Sequence, residues 1–217
     1  MTTAILFDLD GTLSDPKEGI VGSYRAVLAA FGLPDESPDT LARFIGPPLR
    51  DVFRHHYGLS GDDVERAVKA YRAYYDRQGL YENRVYPGVE TMLETLRAKG
   101  YKLIVATSKV AVYAERILEH FRLKQYFDFV SGCEMNGKRS KKTEVIAYAL
   151  EQCGLTAADC YMVGDREYDI TAALELGLTP VAALYGYGSR EESQTAGAQR
   201  FAETPSEIID RIQEGIA

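Results

Sequence analysis

Three short apolar runs in this chain stop abruptly at oxygen-bearing side chains, and that pattern restricts the fold more than any other feature. Ala4 to Phe7 runs into Asp8-Leu9-Asp10-Gly11-Thr12. Tyr101 to Ala106 runs into Thr107-Ser108-Lys109, and Cys160 to Val163 into Gly164-Asp165, with Asp169 one helical turn further on. A continuous apolar run of this length, ended by a turn signal, suits a strand covered on both faces. Shorter candidates lie at Phe127 to Val130 and Pro180 to Leu184. Between them come helical stretches closed by glycine: one from Pro87-Gly88 to Gly100, one from Lys142 to Gly154, one from Glu167 to Gly177. A further helix is expected from about Val110 to His120 and a last one from Pro205. Strands alternating with helices predict right-handed crossovers and an α/β architecture, a parallel sheet with helices on both faces.

Between Leu13 and about Tyr86 the pattern is different, because no strand signal occurs there. Asp15 reads as an N-cap, with Pro16 at the first helical position and Glu18 completing a capping box. Ile20, Val21, Tyr24, Val27, Leu28 and Phe31 then form one apolar stripe, stopped by Gly32 and Pro34. Further helices are expected from Ser37-Pro38 through Ile45, from Leu49 to Tyr57, and from about Asp62 to Gln78. The expected organisation is a core of residues 1–14 and 85–217 carrying an all-helical insert, 15–84.

Residues two apart on a strand point to the same side, so Asp8 and Asp10 leave the first strand together. Two carboxylates that close need a cation, or one stays protonated, unless the junction is merely a solvated loop. In a parallel sheet the strand ends share one edge, where ligands bind. Asp8, Asp10, Asp165 and Asp169 gathered there suit a hard divalent cation, and oxygen ligands with retained waters suit magnesium. The Thr107 and Ser108 hydroxyls, with nearby helix N-termini, suit an anion. The basic run Lys138, Arg139, Lys141, Lys142 lies at a helix start, where the helix dipole opposes a cation. Neutralising a bound phosphate is a reason to put one there.

The net charge of −7 argues against a general nucleic-acid or membrane surface but leaves room for a small anionic substrate. The three cysteines form no CxxC pair, so a reducing compartment is expected. With neither a charged-then-apolar leader nor a run long enough to span a bilayer, the chain reads as a soluble cytoplasmic protein, a monomer or weak homodimer.

These motifs, in this order, make the chain resemble the haloacid dehalogenase superfamily in its phosphatase branch. DLDGT at Asp8 to Thr12 looks like the first motif, and IVATSK around Thr107 the second. A lysine near Lys142 looks like the third, and VGDREYD at Val163 to Asp169 the fourth. The resemblance implies a Rossmann-like core with an inserted helical cap. It also implies a magnesium-dependent phosphomonoesterase that forms an aspartyl-phosphate. Asp8 would be the nucleophile and a metal ligand. Asp10 would be the general acid and base, with its carbonyl on the metal. Asp165 would be a side-chain ligand, and Asp169 a ligand through water or a brace behind it. Thr107, Ser108 and the lysine would hold the phosphoryl oxygens.

The sequence departs from the family at Ser108, where asparagine is commoner, and at the missing lysine-proline pair of the third motif. Lys142 is the preferred phosphate ligand, with Lys141 and then Lys138 behind it. In the insert, Arg43, Arg50 and Arg54 are candidates for a second anionic group on the substrate, or else solvated surface charges. His55 and His56 are adjacent and do not have metal-pair spacing. Phosphoglycolate-phosphatase-like and 5'-nucleotidase-like members look most similar, so the expected substrate is a small phosphorylated metabolite such as phosphoglycolate or a nucleoside 5'-monophosphate. The rivals are a sugar phosphomutase of the same superfamily, a carbon–halide hydrolase, and a non-catalytic binding protein. Asp10 counts against the carbon–halide hydrolase, since halide departure needs no acid.

Overall fold

The computed structural model describes residues 3–214. Its sheet is built from β1 (Ala4–Phe7), β4 (Lys102–Val110), β5 (Phe129–Cys133), β6 (Cys160–Gly164), β7 (Thr179–Ala183) and β8 (Phe201–Ala202). The strand order is β5-β4-β1-β6-β7-β8, and every neighbouring pair is parallel. Ala4 and Leu6 of β1 join Ile104, Ala106 and Met162 in a cluster with α7 (Lys142–Cys153) and α8 (Glu167–Leu176). Alternate residues Ile5, Phe7, Leu103, Val105 and Val163 are equally buried on the other face. There α5 (Val89–Ala98), α6 (Ala111–His120) and α10 (Pro205–Gln213) contact the sheet or each other. Covering both faces is why these strands are continuous apolar runs.

The chain runs outward from β1 to β4 and β5, then returns to the far side of β1 for β6. That reversal is a topological switch point at the end of β1, the place where open parallel sheets bind ligands. Phe7 is registered against Val105 on one side and Val163 on the other. The next row therefore holds Asp8, Ala106 and Gly164.

The chain divides into two compact units, one of the residues up to Asp15 and from Val85 onward, the other Pro16–Arg84. The second unit is helical: α1 (Lys17–Phe31), α2 (Pro38–Ala42), α3 (Leu49–His55), α4 (Asp62–Tyr74) and a π-helical turn, Tyr75–Gly79. Its interior is aromatic, with Tyr24 meeting Phe44, Phe53 and Tyr71 at ring-centroid distances of 5.4, 5.8 and 5.1 Å. Ser37 caps α2 by accepting the Thr40 N–H, and Gly32 ends α1 in the left-handed conformation.

Several expectations shift. The cap of α1 is Pro16, without a side-chain bond, because the Asp15 carboxylate accepts a hydrogen bond from the Tyr187 hydroxyl instead. Two short strands, β2 (Ser14–Asp15) and β3 (Arg84–Val85), form a separate two-stranded sheet where none was expected. The helix α9 (Arg190–Thr195) and strand β8 are too short to leave a periodic signal. Among the described residues no helix is long and apolar enough to cross a membrane.

Candidate active site

Asp8 follows the last residue of β1, and its backbone N–H still bonds to the Val163 carbonyl of β6 at 2.9 Å. Its side chain is divided between two donors. Oδ1 accepts the Leu9 N–H at 2.7 Å, and Oδ2 lies 2.9 Å from Lys142 Nζ. Lys142 opens α7, and its ammonium is buried. It also reaches Asp169 Oδ1 at 2.7 Å and donates to the Ala106 carbonyl at 3.1 Å. Burial and the helix dipole oppose its charge, but Asp169 and then Asp8 outweigh them and hold the ammonium above its ordinary value. Lys138 and Lys141 are both exposed. Of the three candidate lysines, Lys142 is the one brought to the acids.

The β6–α8 junction supplies two more carboxylates. Asp165 accepts from the Thr12 hydroxyl at 3.1 Å and from the Tyr187 N–H at 2.9 Å, both neutral donors. Burial, with Asp169 and Asp8 nearby, pushes its carboxyl well above the usual range. Asp169 Oδ2 accepts the Arg166 N–H at 3.1 Å. Burial raises Asp169 to about 6, against the opposing pull of Lys142. Space for these groups comes from glycines. A Cβ on Gly164 would collide with the Asp169 carboxyl, and one on Gly186 with Asp165 and the Gly11 carbonyl. Gly11 turns the chain with φ +84°, and a side chain there would strike the Asp165 carboxylate.

Carboxylate oxygens of Asp8, Asp165 and Asp169 lie within 4.8 Å of one another. Three buried acids this close, two of them with raised pKa values, form a donor set that fits a hard divalent cation. Asp10 points elsewhere. Its Oδ2 is paired with Lys109, and burial lifts its carboxyl above the ordinary range while Lys109 pulls it down. Thr107 is buried at the end of the regular part of β4, and its Oγ1 accepts the Lys109 N–H at 3.2 Å. Ser108 beside it is partly exposed.

Sequence reasoning left Lys109 and Tyr187 without roles. Lys109 carried one usable signal, a cation at a strand end whose neighbouring strands end in acids. The Tyr187 contact is a backbone N–H, which no residue type announces. In the helical unit Arg50 donates to both Glu65 oxygens, at 2.8 and 2.9 Å, while Arg43 is exposed. His56 pairs with Glu36 at 3.3 Å and packs on Phe44 and Tyr57, so it serves the fold of that unit.

Comparison with known proteins agrees with this geometry. The family described as haloacid dehalogenase-like hydrolase matches residues 5–183. A 5'-nucleotidase of Pseudomonas aeruginosa is 43% identical over 87% of this chain and 85% of its own length. A protein named tyrosine-protein kinase PtkA, from Mycobacterium tuberculosis, is 40% identical over 98% of this chain and 72% of its own. A crystal structure described as a predicted phosphatase from Clostridium acetobutylicum superposes with a TM-score of 0.94 at 40% identity, covering 99% of this chain and 100% of that one. Sequence motifs, sheet topology and relatives thus converge, and the chain belongs to the haloacid dehalogenase-like hydrolases, on their phosphatase side.

Proposed function

We propose that this protein is a magnesium-dependent phosphomonoesterase that hydrolyses a small phosphorylated metabolite through an aspartyl-phosphate on Asp8. The observation that carries the reading is the bridging of Asp8 and Asp169 by the buried Lys142 ammonium, which also bonds the Ala106 carbonyl just before Thr107, with an Asp165 oxygen within 4.8 Å of both acids. A carboxylate attacks a phosphate dianion only where cations offset their repulsion, so the work is mostly positioning and electrostatics.

Asp8 and Asp165 would hold the magnesium by their side chains and Asp10 by its carbonyl, with Asp169 bound through water or bracing from behind. The ion supplies charge neutralisation at the phosphoryl oxygens. Lys142, Thr107 and Ser108 orient those oxygens. Asp8 attacks phosphorus as the ester oxygen departs with a proton from Asp10. Asp10 then takes a proton from water, whose oxygen displaces Asp8 and frees inorganic phosphate.

Residues 15–84 would act as the cap that selects the substrate. Arg50 is engaged by Glu65, so Arg43 is the arginine we assign to a second anionic group. The 5'-nucleotidase relative favours a nucleoside 5'-monophosphate over phosphoglycolate. A cytoplasmic location accords with the use of such metabolites.

A phosphate-release screen over small monoesters, with and without magnesium, tests the reading directly. Asp8→Asn should lose at least about 10⁴-fold in kcat, since removal of a nucleophile costs this much or more in other enzymes. Persistence of hydrolysis in that variant contradicts the nucleophile assignment. Isomerised sugar phosphate in place of free phosphate points to a mutase. The relative named as a tyrosine kinase favours a second reading, in which a hydroxyl acceptor replaces water at phosphorus. Transfer of the ATP γ-phosphate to a tyrosine peptide, without monoester hydrolysis, would establish it.

A further inference from the structure

Strand β4 does not end cleanly. Thr107 is registered against Gly132 of β5, but the next registered pair is Val110 with Cys133. Ser108 and Lys109 are therefore extra residues on one strand, a bulge of the kind that re-aims side chains beside active sites. The bulge is tightly determined. Thr107 Oγ1 accepts the Lys109 N–H, and a Cβ on Gly132 would come within 2.7 Å of the Lys109 carbonyl oxygen and 2.9 Å of Ala111. Its result is that Lys109, with a side chain only 8% exposed, turns its ammonium onto Asp10 Oδ2. The other oxygen, Asp10 Oδ1, is buried and has no hydrogen-bond partner among the described residues. The two oxygens of one carboxyl are thus distinguished, one held by a cation and one left open.

We propose that Lys109 is a positioning residue for Asp10, fixing the rotation of its carboxyl so that Oδ1 is the oxygen that exchanges a proton with the reacting groups. This rests on the phosphomonoesterase reading. In the first half-reaction the Asp8 oxygen–phosphorus bond forms, the phosphorus–ester oxygen bond breaks, and the Asp10 Oδ1 proton passes to the departing oxygen. Asp10 is then a carboxylate, with Lys109 still protonated on Oδ2. In the second half-reaction Oδ1 receives a proton from water as the water oxygen bonds to phosphorus and the Asp8–phosphorus bond breaks. Lys109 gains and loses no proton. The same ammonium also compensates charge on Asp10 between the two halves. Lys142 is bonded to Asp8 and Asp169, so it supplies no direct bond to the Asp10 carboxylate.

Leaving-group dependence separates this role from a structural one. A nitrophenolate leaves without a proton, whereas an alkoxide needs one. Wild type, Lys109→Met and Lys109→Ala are assayed with magnesium on p-nitrophenyl phosphate and on an alkyl monophosphate that wild type hydrolyses. Loss of positioning should lower kcat on the alkyl ester by about 100-fold, within the range that general acid catalysis supplies, and on the nitrophenyl ester by less than about 5-fold. KM should change little for either. The alanine variant adds no bulk to the bulge and reports the same ratio should the methionine variant fail to fold. Equal losses on both esters, or no loss on the alkyl ester, overturn the proposal. Absence of hydrolysis of either class by wild type overturns the phosphomonoesterase reading itself, and this proposal falls with it.

Discussion

Both units of the molecule carry surface ion pairs, but among the described residues the α/β unit alone buries a charged cluster. In the helical unit the ion pairs lie at the surface: Lys17 with Asp39, Arg25 with Asp35, Arg50 with Glu65, Arg66 with Asp63. Its interior is left to Tyr24, Phe53, Leu41, Val64 and Val68. The α/β unit instead buries Asp8, Lys142, Asp165 and Asp169 together, with Asp10 and Lys109 beside them. Exposed pairs are screened by water and salt and contribute little. Buried charges cost several kcal/mol each and persist only where partners offset that cost. Solvation alone accounts for the surface charges of the helical unit, whereas stability does not account for the buried cluster of the α/β unit. The latter needs a chemical reason, and the cation and phosphate of the proposed reaction provide one.

Lys142→Met is the strongest way to break this comparison. It leaves Asp8 and Asp169 buried without their shared cation. Loss of one partner of a buried pair costs about 3–5 kcal/mol. The kcat should also fall by about 10²–10³-fold, as for loss of one preorganised donor at a developing charge. Thermal melts and steady-state kinetics read both effects. Near-normal turnover in this variant, with a loss in Lys141→Met, would return Lys142 to a structural role.

Asp165→Asn should have a smaller effect on stability but a more specific one. A ligand at 100 times its dissociation constant stabilises a protein by about 2.7 kcal/mol. Wild type should therefore melt several degrees higher with saturating magnesium, and Asp165→Asn should lose that increment. Without metal the substitution removes a carboxyl that burial and its neighbours already hold well above the usual range, so the metal-free melting point should hold or rise. A full magnesium shift in the asparagine variant removes Asp165 from the ligand set.

The same contrast explains what could be read before the structure. The ends of β1, β4 and β6 were legible because both faces are covered, which makes each strand an apolar run with a visible stop. The glycines at 32, 154 and 177 were legible because left-handed helix ends favour that residue. Asp15 looked like a helix cap, since nothing local reveals that Tyr187, far along the chain, binds its carboxylate. Lys109 escaped notice because its direction depends on a bulge, and the bulge depends on Gly132 in another strand. A strand read in isolation alternates, and a two-residue insertion relative to its partner cannot be seen in one strand alone. Arg43 and Arg50 were indistinguishable as sequence. Only the position of Glu65 separates them.

That separation gives the subtlest test. Arg50 makes a two-pronged bond to Glu65 on the surface of the helical unit. Arg50→Ala should therefore lower the melting temperature by no more than about 3 °C, as expected for an exposed pair in a chain of this size. Its KM for the preferred monoester should stay within about twofold. Arg43→Ala should leave the melting temperature unchanged, because Arg43 is exposed. If Arg43 binds a second anionic group, its removal deletes one charged hydrogen bond to the substrate, and KM should rise by about tenfold. The rise should vanish for a substrate that carries the phosphate alone. A tenfold rise in Arg50→Ala, with none in Arg43→Ala, would mean that Arg50 leaves Glu65 to bind substrate, and that a surface charge of the helical unit has a chemical role after all.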